Sequence, residues 1–214
     1  MNSLASTILI LVILINLLLL GTGRLRSCIS IVAAQGATIG LLPLLVSNGE
    51  FNLRLTLVAV TSVALKGVVF PRLLLRAMVR ANVRHEVDPV IGYAASILMG
   101  LVLTGASFWI ASRLRLPIVS VSDLVLPVAL TTVFCGFLLI VSRRQALSQV
   151  VGYLVLENGI YIFGTALAYE VPLLVEMGIL LDVFVAVLVM GVAVFHISRE
   201  FHHIDVDQLA RLKD

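Results

Sequence analysis

Four ionisable side chains lie within otherwise apolar stretches of this sequence: Lys66, Glu157, Glu176 and Asp182. An ionisable group at the centre of a lipid bilayer costs about 2.5–3.5 kcal/mol on insertion scales, so such a group is usually paired or functional. Burial disfavours the charged form of acids and bases alike. Because each group then gives up its charge more easily, these residue types predict proton exchange between buried groups.

Helical spacing places three of the four groups at a similar depth. At 1.5 Å per residue, Lys66 lies about 16 Å into its apolar segment, Glu157 about 12 Å and Asp182 about 15 Å, whereas Glu176 lies about 6 Å from a segment end. We predict that Lys66, Glu157, Asp182 and Glu176 form a proton-relay row. The alternatives are that a buried lysine–acid pair only ties helices together, or that the acids simply stay protonated, and that Glu176 reaches interfacial water.

The backbone beside these groups carries helix-disturbing residues. Pro71 lies five residues after Lys66 and predicts a kink within one turn of it. The pair Asn158–Gly159 follows Glu157 and either opens its helix locally or belongs to a set of small residues that pack helices together. That set is Gly152, Gly159 and Gly164. Gln35, a further polar residue in an apolar stretch, favours a hydrogen bond between helices.

The composition shows which elements must position these residues. The chain has 214 residues, of which 60% are hydrophobic and 13% charged, against about 45–50% and about 25% in soluble proteins. Apolar stretches of this length are helical in a bilayer, because lipid offers no partner to an unpaired backbone group. We therefore predict an all-α integral membrane protein with about seven transmembrane helices, at roughly 4–22, 28–47, 55–75, 90–112, 124–142, 149–168 and 172–196.

The distribution of basic residues predicts the orientation. Eleven lie in one set of alternate connections and the tail, and three lie in the other set, Arg54, Arg113 and Arg115. The positive-inside rule places the N-terminus outside and the C-terminus in the cytoplasm, in a multi-pass protein of the cell inner (cytoplasmic) membrane. Within the larger set, residues four apart form one helix face that meets either lipid head groups or a cytoplasmic subunit. These are Arg72, Arg76, Arg80 and Arg84.

Several functions are excluded by what the sequence lacks. It contains no phosphate-binding loop, no Ser/His/Asp set and no cluster with metal-ligand spacing. Cys28 and Cys135 are isolated in apolar stretches, and none of the four histidines lies in the middle of one, as a haem between helices would require. The net charge of +3 reflects loop topology. We predict no catalytic residue, metal or cofactor in this chain, and no nucleic-acid partner.

The stretches 141–159 and 172–190, with the tail from Ile204 to Lys213, resemble the membrane component E of hydrogenase-4 (formate hydrogenlyase-type) complexes. The last three segments are similar to the K subunit of NADH:quinone oxidoreductase (complex I), which has a glutamate of the proton path in each of its last two helices. Leu154 stands at the first of these positions, with Glu157 nearly one turn later on the same face, and Asp182 corresponds to the second. We predict an N-terminal four-helix region (1–123), a K-like region (124–197) and a cytoplasmic tail (198–214).

The resemblance implies a non-catalytic membrane subunit beside antiporter-like subunits of a hydrogenase or complex I-like assembly. Such a subunit contributes to a midplane path for protons or sodium that is coupled to electron transfer, and the redox metals belong to other chains. Two alternatives remain: a small subunit of a multi-subunit cation/proton antiporter, or a purely structural bundle that links other subunits. Neighbouring hydrogenase genes, against antiporter genes only, would separate the first two.

Overall fold

The structure is a computed structural model that describes residues 2–43, 53–80, 89–114, 123–167 and 191. Helices make up the regular elements of these ranges, as the composition predicted. The α-helices are Asn2–Leu20 (α1), Leu25–Gly40 (α2), Leu53–Ala64 (α3), Phe70–Arg80 (α4), Tyr93–Arg113 (α5), Val125–Ser142 (α6) and Ala146–Leu167 (α7). A π-helical turn, Leu65–Val69, joins α3 to α4.

Three helices of the described ranges are long and apolar enough to cross a membrane. They are α5, α6 and the Ala146–Gly164 part of α7, while the apolar part of α1, Leu4–Leu20, is shorter. The first six predicted segments each overlap described helices, the third of them (55–75) covering α3, the π-helical turn and the start of α4. The seventh, 172–196, lies outside the described residues apart from Gly191, so the count of seven spans stays a prediction.

The π-helical turn lies where Pro71 predicted a distortion. Phe70 donates its backbone N–H to the carbonyl of Leu65, five residues earlier, instead of the fourth residue back. Proline has no N–H and its ring clashes with the carbonyl four residues before it, here that of Gly67. A wider turn avoids this clash, and such turns are a known cause of helix kinks, often at functional sites. The turn holds Lys66, which is buried.

The helix after this turn is strongly two-sided. Phe70, Leu74 and Ala77 on one face are buried in the main apolar core, whereas Arg72 and Arg76 on the other face are exposed. The prediction of a basic stripe is therefore confirmed for these two arginines. The side chain of Arg80 and all of Arg84 lie outside the described residues.

Close packing of α6 against α7 fixes the height of Glu157. A Cβ atom on Gly136 would lie 2.5 Å from the backbone nitrogen of Leu156, and one on Gly159 would lie 2.7 Å from that of Val133. Gly152 approaches Ile140 in the same way. Since α7 is continuous through Asn158 and Gly159, the structure favours helix packing over a local opening at this pair. No described atom lies within 4 Å of a Cβ built on Gly164, so among the described helices Gly164 takes no part in the packing of α6 against α7.

A buried arginine joins three helix ends at one end of the bundle. Arg143, 3% exposed, donates from Nη2 to the carbonyl of Leu20 at 2.9 Å and lies 4.6 Å from the ring of Tyr93. The end of α1, the start of α5 and the α6–α7 connection therefore meet there. The predicted segments alternate in direction across the membrane, which puts these three chain positions on the same side, in agreement with this contact.

Candidate functional site

A buried ion pair joins the third predicted span to the sixth. Lys66 Nζ lies 2.6 Å from Glu157 Oε1, and the two residues are only 4% and 1% exposed. They are 91 positions apart in the sequence, and similar depth was the sole signal that related them. The structure thus brings together two of the four predicted relay residues.

Lys66 also contacts two neighbours of Glu157 on α7. Its ammonium donates to Asn158 Oδ1 at 3.2 Å and lies 4.3 Å from the centre of the Tyr161 ring. Tyr161 follows Glu157 by four residues and so shares its helix face. A carboxylate, an amide oxygen and an aromatic face are three groups that stabilise an ammonium removed from water.

Gly36 on α2 lets the π-helical turn reach this position. A Cβ atom on Gly36 would lie 2.7 Å from the Cβ of Lys66, closer than side chains pack. The absence of a side chain at Gly36 therefore allows the backbone of α2 to lie directly against Lys66. The close contact between α2 and the π-helical turn also brings Gln35, the residue before Gly36, to the site.

A chain of side-chain hydrogen bonds runs from the ion pair through the bundle. Asn158 Nδ2 donates to Gln35 Oε1 at 3.3 Å, and Gln35 Nε2 donates to Asn16 Oδ1 at 2.8 Å. Asn16 Nδ2 donates to Thr132 Oγ1 at 2.9 Å, and the Thr132 hydroxyl donates to the carbonyl of Val128 at 2.8 Å. We call Asn158, Gln35, Asn16 and Thr132 the amide chain. It links α7, α2, α1 and α6, and each of its members is at most 3% exposed.

The interhelical hydrogen bond predicted for Gln35 is confirmed, whereas Asn16, Thr132 and Tyr161 were missed. A signal for Asn16 was available, since it is the single polar residue between Ile8 and Leu20. Thr132 and Tyr161 carry no comparable signal, because threonine bonded to its own helix and tyrosine are common in apolar helices.

The two other predicted relay residues, Glu176 and Asp182, lie outside the described residues. The second carboxylate oxygen of Glu157, Oε2, is buried and has no hydrogen-bond partner within the described part of the chain. Cys28 donates its thiol to the carbonyl of Thr22 at 3.4 Å, and neither Cys28 nor Cys135 forms a disulfide among the described residues. The described residues contain no group of three or more potential metal-ligating side chains.

Fold and site together define a class: helical membrane proteins that hold a lysine–glutamate pair in the interior of the bundle. Comparison with known proteins then gives the family. Residues 124–214 match the family model of NADH-ubiquinone/plastoquinone oxidoreductase chain 4L. An uncharacterized protein of Mycobacterium tuberculosis is 33% identical over 207 residues, which cover 94% of this chain and 92% of that protein.

Hydrogenase-4 component E of Escherichia coli is 34% identical over 122 residues, 57% of this chain and 56% of that protein. The component E of Shigella flexneri matches to the same extent. The chain therefore belongs to one family with the mycobacterial protein, and parts of it are similar to hydrogenase-4 component E and, over residues 124–214, to chain 4L. No solved structure matches the chain significantly.

Proposed function

We propose that this protein is a non-catalytic membrane subunit of a hydrogenase-4 or complex I-like respiratory assembly. It contributes to a midplane path for protons, or sodium, that is coupled to electron transfer on other subunits. The observation that carries the proposal is the ion pair of Lys66 and Glu157, 2.6 Å apart in the bundle interior. The similarity to known proteins supports a place in a respiratory membrane complex, and the geometry of the pair supports a role in proton transfer.

The pair is suited to proton transfer because its two members depend on each other. When opposite charges lie this close in a dry interior, loss of one charge changes the stability of the other. Glu157 Oε2 is buried and accepts no hydrogen bond from a described residue. It can therefore receive a proton from a further group while Oε1 faces Lys66.

The proposal includes the parts of the path outside the described residues. In it, Asp182 and Glu176 continue the row beyond Glu157, in a chain of seven transmembrane helices with the C-terminus in the cytoplasm. Antiporter-like membrane subunits and bilayer lipid surround the bundle. The protein holds no cofactor of its own, and the catalytic metals belong to the redox subunits.

The test is ion translocation per assembled complex after Glu157→Gln. Glutamine keeps the shape of the side chain and an oxygen for Lys66 but cannot exchange a proton, so we expect translocation to fall while the amount of assembled complex is maintained. Asp182→Asn and Lys66→Met extend the test to the rest of the row. Thr131→Val is the control, because Thr131 is buried in α6 and its side-chain hydrogen bond within the described part of the chain goes to the carbonyl of Pro127 in its own helix.

A purely structural role of the pair predicts the reverse order of effects. Assembly would be damaged first, and any loss of translocation would be proportional to it. Native translocation per complex in Glu157→Gln, Asp182→Asn and Lys66→Met would contradict the relay.

A further inference from the structure

The hydrogen bonds of the amide chain all point the same way, and the lysine fixes this direction. An ammonium group is only a donor, so Asn158 must turn Oδ1 towards Lys66. This leaves Nδ2 of Asn158 to face Gln35, which must present Oε1. The same reasoning passes from Gln35 to Asn16 and orients each amide in turn.

The threonine end requires the same direction independently. The Thr132 hydroxyl has a single hydrogen, which it donates to the carbonyl of Val128 at 2.8 Å. Thr132 Oγ1 can therefore only accept from Asn16, so Asn16 turns Nδ2 towards it. If donation ran in the opposite direction, Thr132 would lose its hydrogen bond to Val128, and Asn158 would turn its N–H₂ group towards the Lys66 ammonium.

Side-chain amides neither gain nor lose protons readily, so the amide chain does not itself conduct protons. Its effect is on geometry, because it holds Asn158 Oδ1 at 3.2 Å from Lys66 Nζ, beside the Glu157 carboxylate, which lies 2.6 Å from the same nitrogen. Buried polar networks that are fully satisfied make a core rigid and specify one arrangement.

We propose that Thr132, Asn16 and Gln35 are positioning residues that act through Asn158 to hold the Lys66 ammonium against Glu157. The orientation of a group on α7 is thus set from α6, through α1 and α2. This inference rests on the proposed function, since it concerns how the same ion pair is held ready for proton transfer.

The sequence offers a matched pair of variants for the test. Thr131 and Thr132 are adjacent, both fully buried, and each donates to the carbonyl four residues earlier at 2.8 Å. Only Thr132 accepts a hydrogen bond from Asn16. Thr132→Val therefore breaks the amide chain. Thr131→Val makes the same replacement of a hydroxyl by a methyl group one residue away, outside the amide chain, and Thr132→Ser keeps the hydroxyl at position 132.

The readout is the ammonium signal of Lys66 itself. The sequence contains only two lysines, Lys66 and Lys213. The full chain labelled isotopically at lysine nitrogen, in phospholipid nanodiscs, therefore gives two side-chain signals in solid-state NMR. Lys66→Met identifies which signal belongs to Lys66.

We expect Thr132→Val to shift the Lys66 signal beyond its native linewidth, and Thr131→Val and Thr132→Ser to leave it in place. Asn16→Leu, which cuts the same link from the other side, shifts it as well and serves if Thr132→Val does not fold. A native Lys66 signal in folded Thr132→Val or Asn16→Leu, or an equal shift in Thr131→Val, would overturn the inference.

Translocation per assembled complex is measured in the same variants to separate the two proposals. We expect a loss of about fivefold in Thr132→Val, the factor that corresponds to one hydrogen bond worth about 1 kcal/mol. A shifted Lys66 signal with native translocation would support the positioning role and count against the proposed function. An unshifted signal overturns the positioning role even if Glu157→Gln abolishes translocation.

Discussion

At the residue scale, the ion pair explains why two charged side chains are tolerated in so apolar a molecule. Removing an ion from water costs several kcal/mol, and an attractive partner offsets this only with good geometry and additional hydrogen bonds. Glu157 and Asn158 supply both to Lys66, since they contact Nζ from consecutive positions of one helix. Each charge is therefore costly unless a polar group remains opposite it, such as the oxygen that glutamine would keep in place of Glu157.

This dependence predicts a non-additive effect of neutralising the pair. Lys66→Met leaves Glu157 buried without its partner and lowers the free energy of unfolding by about 3–5 kcal/mol. The double variant with Glu157→Gln removes both charges and recovers most of that loss. Thermal unfolding of the chain in detergent, followed by circular dichroism, measures both variants. A double variant less stable than Lys66→Met would contradict the account.

At the element scale, the site depends on how close two helices come. The π-helical turn displaces the register of Lys66 relative to a regular helix, and α2 accepts it because Gly36 has no side chain. The contact between α2 and this turn thus decides whether Lys66 reaches α7. Helix α5, in contrast, exposes Leu98, Val102 and Trp109 and contributes little to the site.

Gly36→Ala is expected to push the π-helical turn away from α2. The added methyl group would lie 2.7 Å from the Cβ of Lys66, and overpacking of this kind costs about 1–3 kcal/mol. Both stability and translocation per complex should fall. Gly105→Ala in α5 is the control, because no described atom lies within 4 Å of a Cβ there, and alanine is the better helix former.

At the scale of the whole molecule, the basic residues predict the placement of the chain in the membrane. Arg24, Arg72, Arg76 and Arg144 are all exposed, and all belong to the predicted cytoplasmic set. The buried Arg143 joins α1 and α5 at the same end of the bundle. One end of the described helices therefore carries a rim of positive charge.

Reporter fusions at Asp214 test this placement. The excess of eleven basic residues over three predicts that a fused phosphatase, active only outside the cytoplasm, is inactive there, and that a fused fluorescent protein is bright. A fusion after Arg113 should give the opposite pair of results. Phosphatase activity at Asp214 would reverse the orientation.

The sequence by itself determined the helical class, the approximate positions of six apolar helical segments, the distortion beside Lys66 and the resemblance to known proteins. These properties depend on local chemistry: the length of the apolar stretches, a proline five residues after a lysine, and the residue types that carry the resemblance. Lys66 and Glu157 could also be identified, because a charge in an apolar stretch is visible without knowing its partner. Depth alone placed them in one row with Asp182 and did not decide which acid pairs with Lys66.

Only the tertiary structure decided which groups the ion pair contacts. Helical spacing gives the height of a side chain along the bundle but not the direction in which its helix faces. Asn16, Gln35, Asn158 and Thr132 come from four helices, and their contact depends on rotations set by close packing at Gly36, Gly136 and Gly159. Because those rotations arise from contacts distant in sequence, the direction of the amide chain could not be derived from the sequence.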